Sequence, residues 1–258
     1  MRALQTEWTK LRSLRSTMWA LLALLVLSLL LTTLNTGGAS TERCDGVHCN
    51  DTVIESLAGI YLGQMAVAAL AVLAITSEYT TGLIRTTFVA NPRRHVVLLA
   101  RAAVVVAVVL VVGGVTAVAS FTLGQALLAG NGFTTANGYP DLSLLDGPVA
   151  RAVGGTAIYL AALALLALGV GTIVRHTAGA ISGVLGLILI PVIAVNLVPE
   201  NVGDWILRIT PIAGLAIQQT IEREDGLPLA PWTGLGVLVA WGVVACAIGL
   251  WLIVKRDA

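Results

Sequence analysis

The sequence predicts an all-α polytopic membrane protein with six transmembrane helices, an N-terminal interfacial helix and short amphipathic outer helices before the last span. Two observations predict it. Of 258 residues, 57% are hydrophobic and only 11% charged, against about 25% charged in a soluble domain. The apolar residues also gather into runs of about 20, the length that crosses a hydrocarbon core of about 30 Å.

The runs lie near residues 17–35, 57–76, 102–123, 152–174, 178–198 and 232–254, and none holds a charged residue. A charged side chain at mid-bilayer costs about 2.5–3.5 kcal/mol on insertion scales, so six uncharged runs separated by charged loops are not a chance pattern. A single transmembrane domain over residues 1–258 is expected.

Ahead of the first run, Leu4, Trp8, Leu11 and Leu14 recur at helical spacing, with Gln5, Thr6, Lys10 and Ser13 on the other side. This is the pattern of an interfacial helix, with Trp8 at headgroup depth and Lys10, Arg12 and Arg15 available to anionic lipid. The first run resembles a secretory signal in having the small residues Gly37 and Ala39 after it. It is longer than the usual signal core of about 7–15 residues, and behind Met1 it is expected to stay as a span. Trp19, Trp232 and Trp251 fall near span ends, as an aromatic belt requires.

The stretches near 36–56 and 124–149 are rich in Gly, Asn and Asp and read as connectors without visible chemistry. Cys44 and Cys49 in the first of them have a spacing that suits either a disulfide or two free thiols, and His48 between them admits a metal-site reading. Cys246 in the last run reads as a small packing residue. Gly59 with Gly63 and Gly179 with Gly183 form G-x-x-x-G pairs that suit close helix packing. Pro191 should weaken the fifth helix near its outer end. In 199–231, Trp205, Ile206 and Ile209 precede Thr210-Pro211, a cap-plus-Pro helix start, after which Ala213, Ile217 and Ile221 recur every fourth residue.

Charge sets the orientation. The termini with the second and fourth loops carry eleven Lys or Arg and three acids, whereas the opposite side carries the other four bases and eleven acids. By the positive-inside rule both termini are expected in the cytoplasm. The net charge of +1 hides a split of +8 (11 − 3) inside and −7 (4 − 11) outside.

Several chemistries are excluded. Lys10 and Lys255 are the only lysines and neither follows a Gly, so no phosphate-binding G-x-x-x-x-G-K-[ST] loop exists. No catalytic residue, metal site or cofactor site is expected on this chain, and Ser182 within Gly179–Gly183 reads as a packing residue. No Asp, Glu or His falls inside a run, whereas ion-driven transporters place such groups there as relays. Any transport would then be powered from outside the chain.

The second loop reads Ser77-Glu78-Tyr79-Thr80-Thr81-Gly82-Leu83-Ile84-Arg85-Thr86-Thr87, then Phe88, then Asn91-Pro92-Arg93-Arg94, with Arg101 at the base of the third span. This resembles the permease subunit of type-2 ATP-binding-cassette exporters, in particular the small six-helix permeases of actinobacteria. Glu78, Gly82, Pro92, Arg93 and Arg94 stand where that family has an acid closing the second span, a Gly four positions on, and a Pro with basic neighbours. The opening Glu7-Trp8-Thr9-Lys10-Leu11-Arg12 resembles the family's amphipathic lead-in helix, and Thr210-Pro211 through Ala216 its outer helix pair. Ser77, where Gly is common, and Arg101, where Lys is frequent, depart from the pattern.

The resemblance implies an exporter half in a bacterial plasma membrane. Two permease chains would form the path and two separate ABC ATPase subunits, holding ATP and Mg, would grip the loop 78–94 through Glu78, Gly82, Leu83, Ile84, Arg85, Phe88, Pro92, Arg93 and Arg94. Membrane lipid is the other partner, and no nucleic acid is expected. The uncharged runs suit lipophilic or amphipathic cargo such as a drug, antibiotic, peptide or lipid. Two other readings are a non-transporting immunity or assembly factor and a membrane-embedded enzyme, for which the loops offer only scattered Glu, Asp and His.

The charge split makes the orientation testable. Cysteines placed at Ser40 and Gly226 should react with an impermeant thiol reagent in intact cells, and cysteines at Thr87 and Ala258 should not; labelling at Thr87 with silence at Gly226 would reverse the topology.

Overall fold

The computed structural model describes residues 8–9, 15–39, 51–80, 94–221 and 227–256, and among them all regular structure is helical. Six helices are long and apolar enough to cross a membrane: α1 (Arg15–Gly37), α3 (Ile60–Thr80), α4 (Arg94–Gly130), α5 (Gly147–Val174), α6 (Thr177–Val195) and α8 (Pro231–Arg256). Two short helices, α2 (Thr52–Leu57) and α7 (Glu200–Ile209), and a 3-10 helix over Pro211–Gln218 lie between spans. The chain is a polytopic all-α membrane protein. Helices are what a bilayer demands, because without water every backbone N–H and C=O must be paired within the chain.

The central span is α5, which packs on α3, α4, α6, α8 and the 3-10 helix. Tyr159, Leu160, Leu163, Leu166 and Leu168 on it are among the largest fully buried side chains. α1 lies at the periphery against α3 and α4. Its faces are reversed relative to a soluble helix. Ser28, Thr32 and Thr36, one turn apart, are buried, while Leu22, Val26, Leu30 and Leu34 are exposed, the arrangement expected where lipid is as apolar as leucine and small polar residues make the helix contacts.

Close approach is set by glycines. A Cβ on Gly59 would lie 1.8 Å from the Ser28 carbonyl oxygen, and one on Gly63 would lie 2.1 Å from Ser28 Oγ. The first G-x-x-x-G pair is therefore the seat of α1 on α3. The second does not do this within the chain: Gly179 and Gly183 are exposed, and their nearest neighbours are at 3.3 and 3.8 Å. Cys246 packs as expected, half-buried with its thiol directed at the Leu165 carbonyl at 3.4 Å.

Other expectations shift. The third span runs from 94 to 130 rather than 102 to 123, 37 residues or about 55 Å at 1.5 Å per residue. Hydropathy marks the bilayer, not the helix end, and no Pro or positive-φ residue occurs from 94 until Gly132. Arg101 consequently lies two turns inside a helix, 3% exposed. The stretch 36–56 is more than a connector, since Asp51 caps α2 within it. Of the two outer elements, α7 exposes Val202, Trp205 and Ile209, whereas Pro211–Gln218 is a 3-10 helix buried at every residue. Ile221 falls beyond it and is exposed. Thr210 turns its hydroxyl back to the Ile206 carbonyl at 2.8 Å, so it closes α7 and gives no side-chain cap to the element that follows. α6 runs through Pro191 and ends one turn later at Val195.

The α1–α3 contact predicts an asymmetric response to one carbon. Gly59→Ala should destabilise the detergent-solubilised protein by about 1–3 kcal/mol through overpacking. Gly236→Ala, where nothing lies within 4 Å, should be neutral or slightly stabilising through helix propensity. Equal thermal midpoints for the two variants would remove the argument.

Candidate functional site

Two polar clusters lie at opposite ends of the bundle. One is at the end where α1 begins and α8 finishes, and where α3 finishes and α5 turns into α6. The turn is only Arg175 and His176, and Arg175 takes φ 60°, a left-handed conformation that non-glycine residues seldom adopt. Its guanidinium carbon lies 5.2 Å from the centroid of the Tyr79 ring, within cation–π range. His176 caps α6 by accepting the Gly179 N–H at its Nδ1, 3.2 Å away. Thr177 donates to Thr76 Oγ1 at 2.8 Å, and Thr76 passes its own proton to the Val72 carbonyl at 3.0 Å. The last turn of the second span is thus clamped to the junction of the fourth and fifth.

The clamp adjoins the loop singled out by sequence. Glu78 falls in the last turn of α3 and Arg94 opens α4. Gly82, Leu83, Ile84, Arg85, Phe88, Pro92 and Arg93 lie outside the described residues, as do Leu4, Lys10, Leu11 and Arg12 of the interfacial segment and both Cys44 and Cys49. Of that segment, Trp8 is helical and exposed and Arg15 opens α1, also exposed. Near the span ends, Trp19, Trp232 and Trp251 are all exposed, as an aromatic belt needs, and Lys255 lies over the Trp251 ring at 4.8 Å.

The second cluster occupies the far end and was not singled out by sequence. Asp51, 2% exposed, accepts from the N–H groups of Val53 and Ile54, which start α2. Ser56 on α2 bonds the Thr52 carbonyl, and its own carbonyl accepts from Thr32 of α1 at 3.1 Å. Gln125 of α4 donates to the Thr52 carbonyl and to Ser56 Oγ, both at 3.0 Å. Asn131 reaches the Thr36 carbonyl at 2.8 Å. Deeper in the bundle, Tyr159 of α5 donates to Gln64 Oε1 of α3, whose amide donates to the Tyr61 carbonyl at 3.2 Å. Thr156, one turn away, accepts from Gln218 at 3.1 Å.

Both Gln64 and Tyr159 are 1% exposed. A polar pair buried in a bilayer is costly unless each member is satisfied, and this one is. The signal available in sequence is a Gln and a Tyr inside otherwise apolar runs, and being uncharged they do not stand out as ionisable relays do. Ser28 Oγ and Ser120 Oγ are buried with no hydrogen-bond partner. Among the described residues, no group of three His, Cys, Asp or Glu side chains could hold a metal ion. The arrangement is built from hydroxyl, amide and backbone groups, with the Asp51 carboxylate as a charged acceptor at the far end.

No family model, curated protein or solved structure matches this chain.

The Gln64–Tyr159 pair can be tested by its asymmetry. Tyr159→Phe leaves a buried amide oxygen unpaired and should cost about 1–3 kcal/mol, whereas Tyr159→Phe combined with Gln64→Met removes both partners and should cost less than the single change. Thermal denaturation in detergent reads this, and additive losses would show that the pair is not coupled.

Proposed function

We propose that the chain is the membrane-spanning subunit of an ATP-driven exporter, working as a pair of chains in a bacterial plasma membrane with both termini cytoplasmic. ATP and Mg are held by two separate ATPase subunits, which bear on the loop 78–94. The reading rests on the resemblance of that loop to the permeases of type-2 ATP-binding-cassette exporters. One structural observation supports it. The loop leaves α3 at the turn where Tyr79 meets Arg175 and Thr76 meets Thr177. A displacement of the loop is therefore delivered at once to the head of α6 and the foot of the central span α5. A slack connector would dissipate it.

The chemistry of the interior favours lipophilic or amphipathic cargo. Among the described residues its spans carry mostly neutral hydroxyl and amide groups, and the buried charges Arg101 and Asp51 lie toward opposite ends. The coupling residues divide the work by type. Glu78 stands in the last turn of α3, at the root of the loop and not at a helix start, Leu83, Ile84 and Phe88 offer an apolar face to a groove, and Gly82 lets backbones approach closely. Pro92 ends the segment before Arg93 and Arg94 meet anionic headgroups.

In reconstituted liposomes with a co-purified ATPase, Gly82→Trp and Glu78→Lys should each leave membrane insertion intact. Both should abolish the increase in ATPase rate that the wild-type chain causes. An unchanged increase in both variants would sink the coupling role, and failure to co-purify any ATPase would sink the exporter reading itself.

A further inference from the structure

The 3-10 helix Pro211–Gln218 is buried at all eight residues although it belongs to a connection between spans. It is wedged between α5 and α8. A Cβ on Gly155 would lie 2.1 Å from Ile217 Cγ1, one on Gly214 would lie 2.9 Å from Tyr159 Cδ2, and one on Gly234 would lie 2.2 Å from the Ala213 carbonyl oxygen. The segment therefore lies directly on Tyr159, the residue that bonds Gln64 in the bundle interior.

Its polar ties are concentrated at its C-terminal end, where four consecutive residues are held by three partners. Gln218 donates to Thr156 Oγ1 at 3.1 Å, and the Gln219 carbonyl accepts from Arg151. Thr220 gives its N–H to Asp51 Oδ2 at 2.6 Å and its hydroxyl to Oδ1 at 2.7 Å, and the Ile221 N–H adds a contact to Oδ2 at 3.3 Å. With the two N–H groups of α2, one buried carboxylate joins two segments 169 residues apart in the chain. Hydrogen bonds to a charged acceptor are about twice as strong as neutral ones. The 3-10 pattern of the segment itself is a weak one for so long a run.

We propose that residues 211–221 form a plug at the far end of the bundle and that the Asp51 carboxylate is the latch that keeps it shut over the Gln64–Tyr159 pair. Release of the latch lets the plug lift from its C-terminal side and uncovers Thr156, Tyr159 and Gln64 as the first hydrogen-bonding groups on that side. What the opening is for rests on the exporter reading; the latch is a property of this chain alone.

The test uses Ile217→Cys, fully buried in the plug, in the full-length chain with Cys44, Cys49 and Cys246 changed to Ser. Open membrane fragments are treated with an impermeant maleimide, so the readout depends neither on orientation nor on a partner. Asp51→Ala should raise the labelling rate of Ile217→Cys at least about tenfold, and Thr220→Val should raise it less. Ala164→Cys, fully buried in mid α5, should stay unlabelled in both backgrounds. An unchanged rate at 217 in both variants would overturn the latch, and labelling at 164 alongside 217 would overturn it too, since the bundle would then be opening as a whole. Neither result bears on whether an ATPase co-purifies, which decides the exporter reading separately.

Discussion

A polar atom inside a bilayer has no water to fall back on, and that constraint shapes almost every contact in this protein. It dictates helices for the spans. It also explains why hydroxyl-bearing residues of the spans so often turn back on their own helix. Thr36, Thr76, Thr116, Thr156 and Thr172 each donate to the carbonyl four residues earlier. A hydroxyl satisfied this way can face a neighbouring helix without demanding a partner there. Where a group does cross between helices, as from Tyr159 to Gln64 or from Thr177 to Thr76, it fixes the register of two spans.

Lipid gives spans no hydrophobic reason to associate, so packing supplies the rest. The glycines at 59, 63, 155, 169 and 249 each stand where an added carbon would fall within 2.7 Å of a neighbouring span or of the plug. They are distributed along α2–α3, α5 and α8, so the bundle is keyed at both ends and in the middle. The polar seam and the glycine contacts reinforce one another. Ser28 touches both Gly59 and Gly63, and Thr172 meets Gly249 where it turns its hydroxyl back to Gly169.

The six spans were legible in the sequence because bilayer thickness imposes a run length that hydropathy reads directly. The ends of α4 were not, because a helix continues outside the bilayer until the backbone is turned, and no Pro or positive-φ residue stands between 94 and 130. The first G-x-x-x-G pair was legible and the second was not distinguishable from it, since the same spacing occurs on a helix face that meets a neighbour and on one that is exposed. The far-end cluster was illegible for a different reason. Asp51 and Thr220 are ordinary loop residues until the fold brings them together, and Gln64 and Tyr159 are 95 positions apart. The coupling role proposed for the loop 78–94 rests on resemblance alone, because its residue types would also suit a solvated basic connector.

The central place of α5 has a consequence for how the protein is made. A chain enters the membrane from its N-terminus during synthesis, so α1, α3 and α4 are in the bilayer before the helix they pack around exists. Until α5 arrives, the oxygen of Gln64 lacks the phenol that satisfies it, and α4 lacks its main neighbour. The residues at 211–221 follow later still, and their seat is incomplete until α8 supplies Gly234 and Leu238 from the other side. Biogenesis therefore ends with the closure of the far end, and a ribosome stalled after the fifth span would leave behind a bundle whose interior amide and hydroxyl groups are uncovered, a ready signal for membrane quality control.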